Sequence, residues 1–595
     1  MSNPAGPPLA TPHPSFVRFR IPRRLFSTLE GAFHEEVFFL ILSVFIGIFS
    51  GLAVVCFRLA IDWMHLALLG PLAQAHSWRL FAVPALAGLV VAVLVLHLFP
   101  GIRGSGVNQT KAALYIFNGV IPFRTAVGKF ICAAIAIGSG QSLGPEDPSL
   151  QIGASIASAL GRWLHISREK LRLMAPVGAA AGLAAAFNAP ISAVLFVIEE
   201  VIGRWSAGIL GSVVLSAVSS VVIVRWFLGS EPLFRIPVTT FKRPTELIAY
   251  AVLGIVGGIA SVIFAKSIGY LRPRLKALPR WTQYFQPAFA GLLVGLIAFL
   301  GFPQVMGAGY DSMDQAMHGQ YAWKVLAILA VLKIVATTVS FVSGTPGGMF
   351  APTLFIGAML GGAVGDIERI FVARLGFPHL TGSTGTYVLV GMGVLFAGFL
   401  RVPMTSVFMV LEVSGNYEII VPVIVANTFS YLVSRGLQSI PIFDLLTRQD
   451  GLILPSLEEE REETILRVED AMLPVPTTIL SAQDYVDANA RRIQDSADAI
   501  FLVRLHPSGW STVSRDQLQR LFQEGKGELT LGSVLPPPSV PSLYPDLSLD
   551  SALRYVNVYP LVPVVNRADS RQLEGVISRD SVFKKYGSTQ NVAGV

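Results

Sequence analysis

The chain has 595 residues, 52% of them hydrophobic and only 14% charged, with a mean hydropathy of +0.60, which is far too oily for a water-soluble globule. Two cysteines cannot build a disulfide framework, and 55 Gly with 38 Pro show no triplet period. The net charge of +7 is unevenly placed: residues 451–595 hold 19 acids and 14 bases (14 − 19 = −5), leaving +12 for residues 1–450. An apolar, basic-flanked body is therefore joined to a soluble, acidic tail the size of one compact domain. No Lys/Arg stripe with interleaved aromatics points to nucleic acid, and basic flanks on membrane spans account for the surplus.

Residues 1–34 are Pro-rich and polar, without a secretory signal, and Arg18, Arg20, Arg23 and Arg24 precede the first apolar run. The positive-inside bias places this N-terminal segment in the cytoplasm. The hydrophilic tail is expected on the same side, which requires an even number of crossings. Uncharged runs cover Val37 to Phe57, Leu80 to Ile102, Leu173 to Ile198, Trp205 to Val224, Leu247 to Ala265, Ile334 to Gly365, Leu375 to Leu400 and Ile419 to Ser434. Several match the roughly 20 residues needed to cross about 30 Å of hydrocarbon. Cys56 and Cys132 lie in apolar runs and read as small buried hydrophobes.

Two stretches are broken. Lys129 to Gly161 is interrupted by Gly138-Ser-Gly140 and Gly144-Pro-Glu-Asp-Pro148, and Ile334 to Gly365 by Ser343-Gly-Thr-Pro-Gly-Gly348 and Pro352. Loose backbone at membrane depth is tolerated only where protein buries it or a wet cavity receives it, so the breaks mark the expected functional site.

The breaks also belong to an internal repeat. Phe99-Pro-Gly-Ile-Arg-Gly-Ser-Gly106 resembles Phe302-Pro-Gln-Val-Met-Gly-Ala-Gly309 at an offset of 203 (302 − 99). Lys129 aligns with Lys333, Ser139-Gly140 with Ser343-Gly344, and Pro148 to Ala154 with Pro352 to Ala358, all at 204 (333 − 129). Pro190 to Glu199 resembles Pro403 to Glu412 at 213 (403 − 190). The body is a duplicated unit, with repeats over about 35–228 and 246–437. Interrupted helices at matching places in two halves point to a substrate site at the repeat interface. Here both interruptions open a helix, each offering unpaired N–H groups and the positive end of a macrodipole. Two such tips facing one another select anions over cations without a buried Lys or Arg.

These motifs look like those of the CLC family of chloride channels and proton-coupled chloride exchangers, over about residues 35–450. Gly104-Ser-Gly-Val107 is similar to the family's GSGIP, Gly144-Pro-Glu-Asp-Pro148 stands where the family has G(K/R)EGP, and Gly348-Met-Phe-Ala-Pro352 matches GxFxP. The resemblance implies an all-α multi-span fold with an inverted repeat and broken helices, assembled as a homodimer with one pore per subunit. It further implies that Ser105 donates its hydroxyl to a central chloride and that the N–H groups of Met349 and Phe350 donate from the second tip. Glu146 would be the external gating glutamate and Glu200 the internal proton-transfer glutamate of exchangers. On their own, Ser105 also suits close helix approach, Glu146 a first-turn acid, and Glu200 beside Glu199 a polar helix end. Three departures from the family pattern stand out. Pro145 replaces Lys or Arg and removes an N–H, Asp147 adds a carboxylate in place of glycine, and Phe443 in Pro441-Ile-Phe443 replaces the inner-gate tyrosine.

The tail has its own repeat, Thr512 to Leu518 against Val576 to Val582, spaced by 64 residues (578 − 514). Each copy reads as a strand and a helix start capped by Ser514 or Ser578. Leu561 to Val565, Gly575 to Asp580 and Val468 to Met472 resemble parts of CBS motifs, implying a cytoplasmic α/β tandem CBS module, with copies over 468–525 and 535–588 after a linker at 451–467. Such pairs often bind adenine nucleotides, which would place Ser578 and Asp580 at a ribose; as residues alone they equally cap a helix. Pro536 to Pro538 and Glu458 to Glu463 read as linkers.

The expected function is chloride transport across a bacterial inner membrane, as a chloride/proton antiporter gated by Glu146 and regulated by the tail. A passive chloride channel or leaky exchanger is the alternative within the family, and a nucleotide-sensing membrane protein with an apolar anchor the alternative outside it. No HExxH, CxxC pair or Ser/His/Asp constellation suggests an enzyme. Chloride and protons are the expected substrates, no cofactor is required, and lipid and a second copy of the chain are the expected partners.

Overall fold

The computed structural model describes residues 35–590 except 71–76, 204–206, 232, 235–243, 375–381, 453–465, 494–495, 497, 506–508, 536–539, 568 and 570. The arginines of the N-terminal segment, Glu458 to Glu463 and Pro536 to Pro538 lie outside the described residues. The chain divides into two compact units, Met1–Leu457 and Glu458–Val595.

Among the described residues, the first repeat contributes eight helices: α1 (Glu35–Leu69), α2 (Arg79–Val93), α3 (Gly106–Tyr115), α4 (Phe123–Gly138), α5 (Glu146–Trp163), α6 (Arg168–Phe187), α7 (Pro190–Phe196) and α8 (Ala207–Leu228). The second contributes their counterparts: α9 (Glu246–Ala277), α10 (Gln286–Phe299), α11 (Tyr310–Met317), α12 (Trp323–Val342), α13 (Phe350–Arg374), α14 (Thr384–Leu400), α15 (Pro403–Ser414) and α16 (Ile420–Leu437), followed by α17 (Ile442–Gln449). Among the described residues, eight helices are long and apolar enough to cross a membrane. The run from Leu173 to Ile198 is two helices: α6 ends at Asn188 in left-handed geometry (φ 55°) and Pro190 restarts the chain. The second repeat does the same 213 residues later, with Arg401 (φ 61°) before Pro403. A left-handed residue closes a helix and a proline two residues on prevents its continuation. Helix α10 was not among the uncharged runs. Cys132 is buried as expected, but Cys56 is exposed on α1. A helix facing lipid is apolar all round, so hydropathy does not reveal which side meets protein.

Packing repeats the symmetry. α1 lies on α8 as α9 lies on α16, and α5 lies on α6 as α13 lies on α14, while α2 meets α10 and α7 meets α15. The α5–α6 and α13–α14 pairs close on glycine: a Cβ at Gly153 would stand 2.1 Å from the Gly178 carbonyl oxygen, and one at Gly357 2.2 Å from that of Gly391. Helices that meet their own counterpart lie at a two-fold axis, as an inverted repeat requires.

The tail is α/β. Its first half holds β1 (Ile479–Ser481), α19 (Val486–Arg492), β2 (Ile500–Arg504), β3 (Trp510–Ser514) and α20 (Arg515–Gln523), after a short α18 (Val468–Ala471). The second holds α21 (Leu531–Val534), α22 (Leu549–Val556), β4 (Leu561–Val565), β5 (Leu573–Ser578) and α23 (Arg579–Gln590). β1 pairs parallel with β2 and β2 antiparallel with β3, and β4 pairs antiparallel with β5. The halves exchange their opening segments. Val468 packs in the core of Leu549, Val562 and Ile577, whereas Leu531 and Leu535 pack in the core of Leu480, Phe501 and Val513. Arg467 bridges Ser548 and Thr530 bridges Tyr485, a reciprocal pair at an offset of 63 (530 − 467 and 548 − 485).

Candidate functional site where the broken helices meet

The two interruptions come together. Gly144 donates its N–H to the Gly348 carbonyl at 2.9 Å, and Gly348 returns the bond to Gly144 at 2.8 Å. Immediately beyond these glycines α5 and α13 begin, so the two tips start from one paired step of backbone. Both loops turn the same way: Gly140 (φ 101°) and Gly344 (φ 86°) are left-handed, and the hydroxyls of Ser139 and Ser343 bond carbonyls three residues back. Gly348 has no room for a side chain, since a Cβ there would meet the Asp147 Cβ at 2.7 Å.

Two carboxylates on the α5 tip then part company. Glu146, fully buried, accepts from the Ala351 N–H at 3.3 Å, at the start of α13, and from the Tyr310 hydroxyl. Asp147, also buried, accepts from the Gly106 N–H at 3.1 Å, the Val107 N–H at 3.0 Å and the Ser105 hydroxyl at 3.2 Å, all at the start of α3. First-turn N–H groups have no partner within their own helix, and a carboxylate supplies one. The donor expected of Ser105 thus points to an anion, and in this structure that anion is Asp147.

Two fully buried lysines support the loops that lead into the α3 and α11 tips. Lys129 donates to the carbonyls of Ile102 (3.1 Å) and Gly104 (2.9 Å), and Lys333 to those of Val305 (2.9 Å) and Gly307 (2.8 Å). The acceptors are related by 203 and the lysines by 204, so the clamp was duplicated with the fold. Lys129 is an electrostatic partner of Asp147, and Lys333 of Glu146.

Phe443 is buried and stands 6.2 Å from the ring of Phe350 and 6.3 Å from that of Phe196, centroid to centroid. The Met349–Phe350 tip is thereby backed by aromatic rings, and Asn108 on α3 donates to the Phe443 carbonyl at 3.0 Å. Glu200 lies in a π-type turn, Val197–Ile202, that prolongs α7. Its carboxylate takes the Lys111 ammonium at 2.8 Å, and Lys111 also reaches Asp444 at 3.2 Å. Glu199 turns the opposite way and caps α15 through the N–H groups of Met404 (3.2 Å) and Thr405 (2.8 Å) and the Thr405 hydroxyl. The sequence reading did not find Lys111, Asp444 or Tyr310. A lysine in the otherwise uncharged α3 was the available signal, because an intramembrane charge needs a partner.

A model of the voltage gated chloride channel family matches residues 87–435, more than half of the chain. The chain belongs to the voltage-gated chloride channel family. A curated relative, the putative chloride channel protein ClcB-like of Ralstonia nicotianae, is 31% identical over 424 residues, covering 69% of this chain and 97% of the relative. The H(+)/Cl(-) exchange transporter ClcA of Salmonella arizonae is 30% identical over 423 residues, covering 68% and 87%. Among solved structures, a slow cyanobacterial Cl-/H+ antiporter superposes with a TM-score of 0.62 at 23% identity, covering 73% of this chain and 99% of its own. A eukaryotic CLC transporter superposes with a TM-score of 0.59 at 19% identity, covering 94% and 98%. The fold of this voltage-gated chloride channel family member is that of an all-α, multi-span membrane protein with a duplicated, broken-helix body and a small α/β tail.

In the tail, Ser578 and Ser581 cap one another: the Ser581 N–H donates to the Ser578 hydroxyl at 3.2 Å and the Ser578 N–H to the Ser581 hydroxyl at 3.1 Å. Asp580 is exposed in the first turn of α23. Ser514 likewise caps α20 by accepting from the Gln517 N–H at 3.2 Å.

Proposed function

We propose that the chain exchanges chloride for protons across the membrane. The observation that carries this reading is the Gly144–Gly348 pair, which starts two helix tips from one point and sets the Glu146 carboxylate across onto the opposite tip. A chloride would take the place that a carboxylate holds in this structure, receiving the Ser105 hydroxyl and the N–H groups of Met349 and Phe350, with the Phe443 ring closing the inner side. Glu146 competes with the anion when ionised and yields its place when protonated, so anion and proton exclude one another. Such dipole-and-hydroxyl ligation touches a monovalent anion through neutral donors alone, with the Lys129 and Lys333 ammonium groups spent on loop carbonyls behind the tips, which leaves it weakly enough held to depart. Glu200 would receive protons from the cytoplasmic side. The exchange carried out by the Salmonella relative supports the same reading. It acts here as a homodimer in a bacterial inner membrane with its tail in the cytoplasm, and the tail is a CBS pair in which an adenine nucleotide would meet Ser578 and Asp580.

A passive or leaky chloride pathway is favoured by one observation: Glu200 is held by Lys111 rather than standing free to accept protons. Chloride-loaded proteoliposomes followed with chloride and pH electrodes together separate the two. Exchange predicts protons moving against the chloride in fixed proportion. Chloride movement without proton movement selects the passive pathway, and neither movement overturns anion transport.

A further inference from the structure

Resting on the anion-site reading, we propose that Asp147 is a second tethered anion, which holds the α3 tip and has to be displaced before a transported anion can reach Ser105. One carboxylate per pore would leave that tip to the substrate. Here the α3 tip is already filled, by three hydrogen bonds from Ser105, Gly106 and Val107 to a single buried side chain. Gly106 makes the approach feasible, because a Cβ there would lie 2.7 Å from the Asp147 carbonyl oxygen and 3.2 Å from its carboxylate.

Acids that only fasten helices look different in this molecule. Glu199 caps α15 and Glu412 caps α7, and the two are counterparts at 213 (412 − 199), one from each repeat. Asp147 has no such counterpart: 204 residues on stands Ala351 (351 − 147), whose N–H donates to Glu146. The asymmetric acid sits on the α5 tip where the two repeats touch, beside the gate, and sets its carboxylate on the α3 tip that carries the anion-donating serine. Glu146 and Asp147 therefore hold different tips, Glu146 that of the second repeat and Asp147 one of the first. An anion crossing the pocket meets two tethered competitors in succession, each present at the high effective concentration of a linked group.

Isothermal titration of the detergent-purified full chain with sodium chloride tests this, using wild type, Glu146→Gln, Asp147→Asn and Asp147→Gly. Both Asp147 variants are expected to bind chloride at least about tenfold more tightly than wild type. If Glu146→Gln gains affinity while both Asp147 variants match wild type, the anion site stands and Asp147 is only a cap. If none of the four binds chloride, the anion-site reading fails and this inference with it. Crystals of the wild type soaked in bromide supply a second readout that does not depend on variants folding. Bromide is expected at the α3 tip only in molecules whose Asp147 has left it; bromide bonded to Ser105 while Asp147 keeps its three bonds overturns the proposal.

Discussion

Glu199 and Glu412 cap each other's helices. Glu199, at the end of the α7 segment, bonds the first N–H groups of α15, while Glu412 on α15 bonds those of Ile191 (2.9 Å) and Ser192 (2.7 Å) on α7. Each repeat thus fastens the other by the same bond, and the interface cannot loosen on one side alone. Replacing either glutamate by glutamine is expected to lower stability by about 1–3 kcal/mol, the cost of losing a charge-assisted bond to backbone donors. Thermal unfolding in detergent checks this: the two variants should lose comparable amounts, and an inert Glu412→Gln beside a damaging Glu199→Gln would contradict the reciprocity.

The glycine pair at the pocket allows no added bulk. Gly348→Ala places a methyl 2.7 Å from the Asp147 Cβ and 3.1 Å from its nitrogen, an overpacking that costs about 1–3 kcal/mol and is relieved only by moving the tips apart. Chloride affinity should fall about tenfold for each 1.4 kcal/mol taken from the pocket. Titration calorimetry with unchanged affinity in Gly348→Ala would show that tip spacing does not matter.

The buried lysines are structural clamps on both halves. Lys129→Met or Lys333→Met leaves two buried carbonyls without their donor, which should cost about 1–3 kcal/mol. Both variants should unfold at markedly lower temperature, and by similar amounts. A Lys333→Met protein as stable as wild type would mean that the duplicated clamp is not needed in the second repeat.

The tail's halves cannot be separated. Because Leu531 and Leu535 complete the first core and Val468 the second, a full chain truncated after Gly525 should lose hydrogen-exchange protection in β2 and β3, though those strands remain. Retained protection would contradict the exchange of segments.

Much of the architecture was legible because duplication leaves a periodic trace that composition alone cannot mimic. The offsets of 203, 204 and 213 pointed to the Gly144 and Gly348 loops, and the structure pairs those very glycines. Left-handed Asn188 and Arg401 ahead of prolines show why the repeat extends to helix ends. What stayed hidden depends on side-chain direction. Asp147 follows Glu146 in sequence, yet successive residues at a helix start diverge by about 100°, and only three-dimensional placement reveals that one faces α13 and the other α3. Lys111, Glu200 and Asp444 are separated by up to 333 residues (444 − 111), and nothing local announces that they meet. The exchanged segments of the tail were likewise invisible, since a short apolar stretch fits either core.

In the proposed exchange, anion and proton compete for a pocket framed by two helix tips, with Glu146 as the group that alternates. Simultaneous chloride and proton flux in proteoliposomes containing Glu146→Gln tests it most directly. Proton movement is expected to be lost while chloride movement continues; proton movement equal to wild type would rule out Glu146 as the alternating group.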